Sequence, residues 1–211
     1  MYNFINQNAQ IIINHIDSQN QFITTYPNLC NQLHQVDVAT NLDYQKKYKT
    51  FWSMNQARLS PLFFQNYFLI LEKNKNQQIQ IPNFLEVTLK NLYNIQQCKS
   101  TSYQYSFVSK LCHMIDTSLP IYDKFIKSFY FLPELDTRKP IDSFVQQYLF
   151  LKCEYQRIIN NNLLATTFNV FNSNNALKLL NYSSTKIIDT IIWSFVYLLY
   201  KDKINRSTIY T

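Results

Sequence analysis

The chain has 211 residues, a formal net charge of +7 and 46% hydrophobic residues, so it is long and apolar enough to bury a core and is not a disordered chain. It contains no glycine, which excludes the glycine-rich phosphate loops of Rossmann and P-loop proteins and disfavours tight hairpin turns. The positive charge suits an anionic partner such as nucleic acid, although a charge of this size also serves solubility alone.

Helical start signals recur along the sequence, whereas no segment shows the strict alternation of a half-buried strand. Ser60 followed by Pro61 is among the clearest, because serine caps a helix well and proline fits the first turn. The other N-cap candidates are Asp43, Asn83, Asp123 and either Ser183 or Ser184. The predicted helices, in chain order, cover residues 3–17, 27–33, 44–55, 61–73, 84–95, 103–116, 123–131, 142–160, 163–173, 176–181 and 185–201. This pattern predicts one all-α domain of about eight to ten helices, either compact or divided into lobes at about residues 1–100 and 101–211.

One run of the sequence, Ile187–Tyr200, is strongly apolar, but it is shorter than the roughly 20 residues that a membrane-spanning helix needs and contains Asp189. We therefore predict a buried helix there and no membrane partner. The start of the chain lacks the basic and apolar regions of a secretion signal, so a cytoplasmic location is expected. The cysteines have no CxxC spacing, which favours reduced thiols; they are Cys30, Cys98, Cys112 and Cys153. The sequence leaves the oligomeric state open.

The histidines offer no metal-binding pattern, because His15, His34 and His113 are far apart in the sequence. Cys112 and His113 are adjacent, but neighbouring residues of a helix point in different directions. A hydrogen-bonded structural histidine is therefore the favoured interpretation of His113. The sequence predicts no metal site and no cofactor.

The segment 103–132 reads as two helices separated by a break that contains Pro120. Asp123 lies where the second helix begins, and as an N-cap it would accept hydrogen bonds from the amides of Phe125 or Ile126. Such a cap is worth ~1 kcal/mol, which explains an aspartate there without catalysis. Lys110 is expected on the outer, solvent-facing side of the first helix, away from its apolar stripe.

Two stretches of the sequence resemble a known group of proteins. FVSKLCHMIDTSLPIYDKFI is similar to the SKxLHxxxPxxxPIYDSxV segment of helical proteins with an OGG-type fold, in the helix-hairpin-helix DNA glycosylase superfamily. It also resembles FSFxTKLLHTIxxxLPIYDS in uncharacterised bacterial proteins. Lys186, Asp189 and Trp193 of KIIDTIIW resemble the RxxDxxLW ending of such glycosylase-fold proteins. Together these stretches cover about 40 residues of the chain.

The resemblance implies a two-lobed helical domain that grips nucleic acid, with an extruded base held in an aromatic pocket. Asp123 matches the aspartate that assists cleavage of the N-glycosidic bond in active members. The hairpin that holds a DNA phosphate in this superfamily contains glycine, which this chain lacks. Lys110 lies too close to Asp123 to match the Schiff-base lysine of bifunctional members. The resemblance therefore indicates a degenerate glycosylase-like fold more than an activity.

Basic residues give a second, independent reason to expect a nucleic-acid partner, because lysine and arginine neutralise phosphates. Tyr44, Tyr48 and Trp52 are able to stack on bases, although their helical spacing favours packing in the core. The candidate phosphate-binding residues are Lys46, Lys47, Lys49, Arg58, Lys124 and Lys127. Arg138 and Lys139 would join them if the fold brings these residues together.

Three functional hypotheses follow from the sequence. The first is a cytoplasmic nucleic-acid-binding protein with a glycosylase-like fold and weak or no catalysis. The second is an active monofunctional DNA glycosylase that uses Asp123. The third is a helical protein-interaction module with no nucleic-acid role. The sequence alone leaves open whether the protein is an enzyme.

Overall fold

The computed structural model describes residues 1–95, 103–135 and 140–204, and within these ranges it contains twelve α-helices and no strand. The predicted all-α fold is therefore confirmed. Cys98, Arg138 and Lys139 lie outside the described residues. The helices are α1 Tyr2–Gln7, α2 Ala9–Asp17, α3 Tyr26–Leu33, α4 Leu42–Phe51, α5 Pro61–Asn74, α6 Asn83–Ile95, α7 Tyr105–Ile115, α8 Lys124–Phe129, α9 Ile141–Asn160, α10 Ala165–Ser173, α11 Asn175–Lys178 and α12 Ser184–Tyr200. A π-helical turn, Gln21–Thr25, precedes α3, and a 3₁₀ turn, Met54–Ala57, follows α4.

Capping side chains explain the starts of several helices, namely α4, α5, α8, α11 and α12. Ser60 caps α5 and Ser183 caps α12. Their hydroxyls accept hydrogen bonds from the amides of Phe63 and Lys186, each at 3.1 Å. The predicted cap Asp43 is wrong: Asn41 caps α4 instead, with its Oδ1 2.9 Å from the amide of Tyr44. Asp43 lies in the first turn of α4, where a carboxylate also stabilises the helix.

The predicted first helix is divided at Asn8, which accounts for part of the difference between twelve helices and the expected eight to ten. The Asn8 side chain donates to the carbonyl of Phe4 at 2.9 Å, so it satisfies a backbone group at the end of α1. Asparagine competes with helical hydrogen bonding in this way, which makes it a natural place for the chain to turn.

The core consists of two hydrophobic clusters. The first cluster contains side chains of α3–α7 and of the beginning of α9, and the second contains side chains of α1, α2, α8, α10–α12 and the rest of α9. Tyr122 and Tyr182 pack against both. The clusters do not coincide with residues 1–100 and 101–211, because α1 and α2 return to pack with the C-terminal helices.

The connection between α7 and α8 runs along the boundary between the clusters and is held from several sides. The Tyr148 hydroxyl of α9 donates to the carbonyl of Pro120 at 3.0 Å, and the Thr185 hydroxyl of α12 donates to that of Ser118 at 3.0 Å. The amide of Ile121 donates to the carboxylate of Asp189 at 3.3–3.4 Å. This connection delivers Asp123 to a fixed position.

None of the helices in the described ranges is both long and apolar enough to span a membrane. The apolar run near the C-terminus is instead a core helix: α12 packs against α2, α8 and α9. Asp189 on this helix is buried, at 4% exposure.

Candidate functional site

A cavity of about 470 Å³ opens at the boundary between the two clusters. It is lined by the π-helical turn, the end of α4, the beginnings of α7 and α8, and one face of α12. Among the described residues, five ionisable side chains and several aromatic rings meet there. The lining residues on which the argument depends are Trp52, Lys110, Asp123, Lys186, Asp189 and Trp193.

Asp123 is the N-cap of α8, as predicted, and it also lines the cavity. Its Oδ1 accepts hydrogen bonds from both candidate amides, Phe125 at 2.8 Å and Ile126 at 2.9 Å. Its Oδ2 accepts none from the residues that the structure describes. The side chain is half-buried, so one oxygen fixes the carboxylate while the other is available to a ligand.

Lys110 is buried at 8% exposure, so its expected place on an outer helix face is wrong. The whole of α7 from Phe107 to Met114 is enclosed by neighbouring helices, and a lysine on it therefore has no solvent side. Its Nζ donates to Ser106 Oγ at 3.1 Å and lies 3.5 Å from the carbonyl oxygen of Trp52. Burial lowers the pKa of Lys110 to about 8, against an opposing effect of Asp123.

Lys186 and Asp189 lie one turn apart on α12, both at 4% exposure. Tyr155 donates to Asp189 Oδ1 at 2.5 Å, and the amide of Ile121 donates to the same carboxylate. Burial raises the pKa of Asp189 to about 7 and lowers the pKa of Lys186, and the attraction between the two charges opposes both changes. Burial thus favours the neutral form of each group.

The two tryptophans of the chain both line this cavity. Trp52 lies close to two buried lysines: its ring centroid is 5.7 Å from Lys110 Nζ and 5.6 Å from Lys186 Nζ. Trp193 makes edge contacts with Phe22 and Phe125, at centroid distances of 5.4 and 5.1 Å. Aromatic faces and cations of this kind bind flat, electron-rich rings.

His113 has a structural role, in line with the favoured interpretation of the sequence. It is fully buried, with Nδ1 2.7 Å from the carbonyl of Leu119 and Nε2 2.8 Å from the hydroxyl of Tyr26. Since a carbonyl only accepts, Nδ1 carries the proton and Tyr26 donates to Nε2. Burial lowers the pKa of His113 to about 3, so the ring is neutral. Within the described ranges, no group of three or more His, Cys, Asp or Glu side chains is placed to hold a metal ion.

The predicted basic residues are not brought together at the cavity as one group. Lys124 lies at the cavity, exposed, with its Nζ 4.9 Å from the ring centroid of Phe125. Lys47 pairs with Asp43 at 2.6 Å, and Lys127 pairs with Glu134. The remaining predicted residues lie on or after α4 and do not line the cavity; they are Lys46, Lys49 and Arg58.

Tyr44 and Tyr48 are fully buried in the first cluster, and Tyr48 bonds to Tyr67 at 2.9 Å, so core packing is their observed role. Trp52 is different, because it packs in the core and also lines the cavity. The sequence pattern predicted only the first of these roles for Trp52.

This arrangement is able to bind a flat ligand between aromatic walls and to hydrogen-bond its polar edge. The side-chain nitrogens of Lys110 and Lys186 donate hydrogen bonds, and the carboxyl oxygens of Asp123 and Asp189 accept them. Buried groups with shifted pKa values in a cleft are typical of functional sites, because they cost stability without a ligand.

No protein-family model matches the chain, and no curated protein or solved structure matches it either. The resemblance of residues 107–126 and 186–193 to helix-hairpin-helix glycosylases therefore stays a prediction. The two stretches do, however, supply eleven of the residues that line one cavity, among them Lys110, Asp123, Lys186 and Asp189.

Proposed function

We propose that this protein binds nucleic acid and receives one unstacked base in the cavity between the two clusters. The observation that carries the proposal is the meeting of both tryptophans with two buried lysines and two aspartates around one opening. Bases stack on aromatic faces with little dependence on sequence, and a base outside the duplex is read through hydrogen bonds to its edge.

The charge distribution supports the same partner. The chain carries a net charge of +7, and Lys124 places an exposed cation at the cavity, where the phosphate next to an inserted base would lie. Lysines that touch phosphates release bound counterions, so binding weakens as salt rises. A volume of about 470 Å³ lies within the range of small-molecule sites in proteins.

The proposal is tested by the binding of a fluorescent single-stranded oligonucleotide, measured by anisotropy over a series of salt concentrations. We expect affinity to fall with salt, and Lys124→Ala to reduce the slope of log K against log[salt] by about 0.7, the value for one contact to a single strand. Lys152→Ala is the matched control, because Lys152 is an exposed lysine outside the cavity. Affinity that is absent or independent of salt would contradict the proposal and favour a protein-interaction module.

A second candidate function, cleavage of the N-glycosidic bond, is favoured by the position of Asp123. The carboxylate is fixed through Oδ1, while Oδ2 has no partner among the described residues and faces the same cavity lining as Lys110. An ionised carboxylate there would stabilise the positive charge that develops on the sugar as the base leaves.

Release of bases from damaged oligonucleotides, by the natural protein and by Asp123→Asn, tests this second function. Asparagine caps a helix about as well as aspartate, so the variant keeps its fold. We expect base release that the substitution reduces by about 100-fold or more, the size of effect of one electrostatic group in a catalytic site. Equal release by both proteins, or release by neither, would rule out cleavage through Asp123.

A further inference from the structure

Lys186 differs from the other buried lysines in having no hydrogen-bond acceptor. Lys75 is buried to a similar degree, but its ammonium group bonds to Glu72 and to the carbonyl of Val36, each at 2.8 Å. Lys110 bonds to Ser106 and Trp52. In the described part of the chain, Lys186 Nζ makes neither a hydrogen bond nor an ion pair within 4 Å, and it lies over the ring of Tyr26, 4.1 Å from the centroid.

An ammonium group in this position is costly to the fold. Removing a cation from water without hydrogen-bond acceptors is unfavourable, and a contact with an aromatic ring replaces only part of the lost hydration. The nearby carboxylates do not correct this: Asp189 is directed to Tyr155 and Ile121, and Asp123 to the amides of α8. Since Lys186 lines the cavity, its missing acceptor is expected to come from a ligand.

We propose that Lys186 is a ligand-binding residue that donates a hydrogen bond to an oxygen of the molecule in the cavity, either a carbonyl oxygen of a base or a phosphate oxygen. This inference rests on the proposed function, which supplies a ligand with both kinds of oxygen. Trp52 assists, because its ring lies close to the Nζ atoms of both Lys186 and Lys110, so both donors are near one aromatic ring. A ligand stacked in this cavity would meet the donors at its edge.

The test compares the natural protein with Lys186→Met and with the matched control Lys75→Met, using a single-stranded oligothymidylate as the probe. Methionine keeps most of the volume and removes the charge and the donors. Loss of a hydrogen bond from a charged group predicts affinity lower by about tenfold or more for Lys186→Met. Lys75→Met is expected to bind as the natural protein does, because Lys75 lies outside the cavity.

Competition identifies the oxygen that Lys186 contacts. Displacement of the oligothymidylate by uridine, but not by ribose 5-phosphate, assigns a base carbonyl; the reverse assigns a phosphate oxygen. In each case Lys186→Met should abolish the preference. If the oligonucleotide binds equally to the natural protein and to Lys186→Met, the inference about Lys186 fails while the proposed function stands. If neither the oligonucleotide nor the competitors bind the natural protein, both fail.

Labelling of the natural protein keeps the test valid if Lys186→Met does not fold. Acylation of lysines by a small amine-reactive reagent, read by mass spectrometry, should be slowed several-fold at Lys186 by saturating oligothymidylate. Lys75 serves as the internal reference, and its labelling should not change. Equal labelling of Lys186 with and without the oligonucleotide, under conditions where binding is complete, would overturn the inference.

Discussion

Three buried ionisable side chains, Lys110, Lys186 and Asp189, line the cavity, whereas the buried Lys75 and His113 lie outside it. A buried charge pair contributes little to stability when apolar residues of the same size are the alternative. Their presence is therefore better explained by a ligand than by the fold. We therefore expect that replacing one of these buried residues with an apolar residue of similar size preserves or raises the free energy of unfolding while it lowers ligand affinity.

The pKa of Asp189 predicts how stability depends on pH. Because its folded pKa is raised to about 7 from 3.8, the folded protein holds this proton where the unfolded chain has lost it, so the contribution of Asp189 to stability falls as pH rises from 4 to 7. We expect Asp189→Asn to remove this decline, which is on the order of 1–4 kcal/mol by proton linkage. Urea unfolding of both proteins at several pH values measures it. A decline that persists in the variant would show that other groups cause it.

The cap at Asp123 predicts different effects for two substitutions. Asp123→Ala leaves the amides of Phe125 and Ile126 without their acceptor and should lower the free energy of unfolding by about 1 kcal/mol, whereas Asp123→Asn should change it by a few tenths. Thermal or urea unfolding distinguishes the two. Equal losses in both variants would mean that the negative charge, rather than the cap, stabilises α8.

Sequence reasoning succeeded at Asp123 because a cap depends on neighbouring residues only. It failed at Lys110 because the position of a side chain depends on which helices surround it. The spacing of α7 did not show this, because its apolar stripe lies along one side of the helix and Ser106, Ser109 and Lys110 lie along the other. Neighbouring helices cover this polar side as well, so Ser109 and Lys110 are both buried.

At the level of elements, side chains in the first turns of α7 hydrogen-bond to the backbone just before Asp123. Ser109 Oγ accepts from the amide of Tyr122 at 3.0 Å, and Ser106 Oγ donates to the carbonyl of Tyr122 at 3.0 Å. The α7–α8 connection is thus anchored beside the cavity as well as by α9 and α12. The sequence located the break at Pro120, but it contained no sign of these partners, which are distant in the chain or lie on another helix turn.

This anchoring predicts that Ser109→Ala lowers the free energy of unfolding by about 1–3 kcal/mol, because the amide of Tyr122 is left without an acceptor in a buried position. Ser173→Ala is the control, since the Ser173 hydroxyl makes its bond on an exposed surface. Chemical unfolding of the two variants gives the comparison. A loss in Ser109→Ala no larger than that in Ser173→Ala would contradict a role for Ser109 in holding the connection.

At the level of the whole molecule, the cavity lies where the two hydrophobic clusters meet, with Phe107 and Ile121 on one side and Phe125 and Ile126 on the other. The sequence predicted the helices but not this division, because α1 and α2 pack against helices near the other end of the chain. For example, the Asn6 side chain donates a hydrogen bond to the carbonyl of Leu163, 157 positions away. Pairing across such distances is not visible in periodicity.

A ligand that contacts both clusters should stabilise the whole protein. We expect a saturating oligonucleotide to raise the melting temperature, since binding at 100 times the dissociation constant adds about 2.7 kcal/mol to the free energy of unfolding. Differential scanning fluorimetry over a range of oligonucleotide concentrations measures the change. A melting temperature that does not change with oligonucleotide concentration would mean that the oligonucleotide does not bind preferentially to the folded protein, and this would contradict binding in the cavity.

The fluorescence emission of Trp52 and Trp193 tests directly whether a nucleic-acid base enters the cavity, because both tryptophans of the chain line it. We expect a single-stranded oligonucleotide to change this emission in a saturable way, with the same dissociation constant as anisotropy gives. Added salt should reverse the change. Anisotropy that reports binding while the tryptophan emission stays constant would contradict this expectation, since nucleic acid would then bind elsewhere on the molecule.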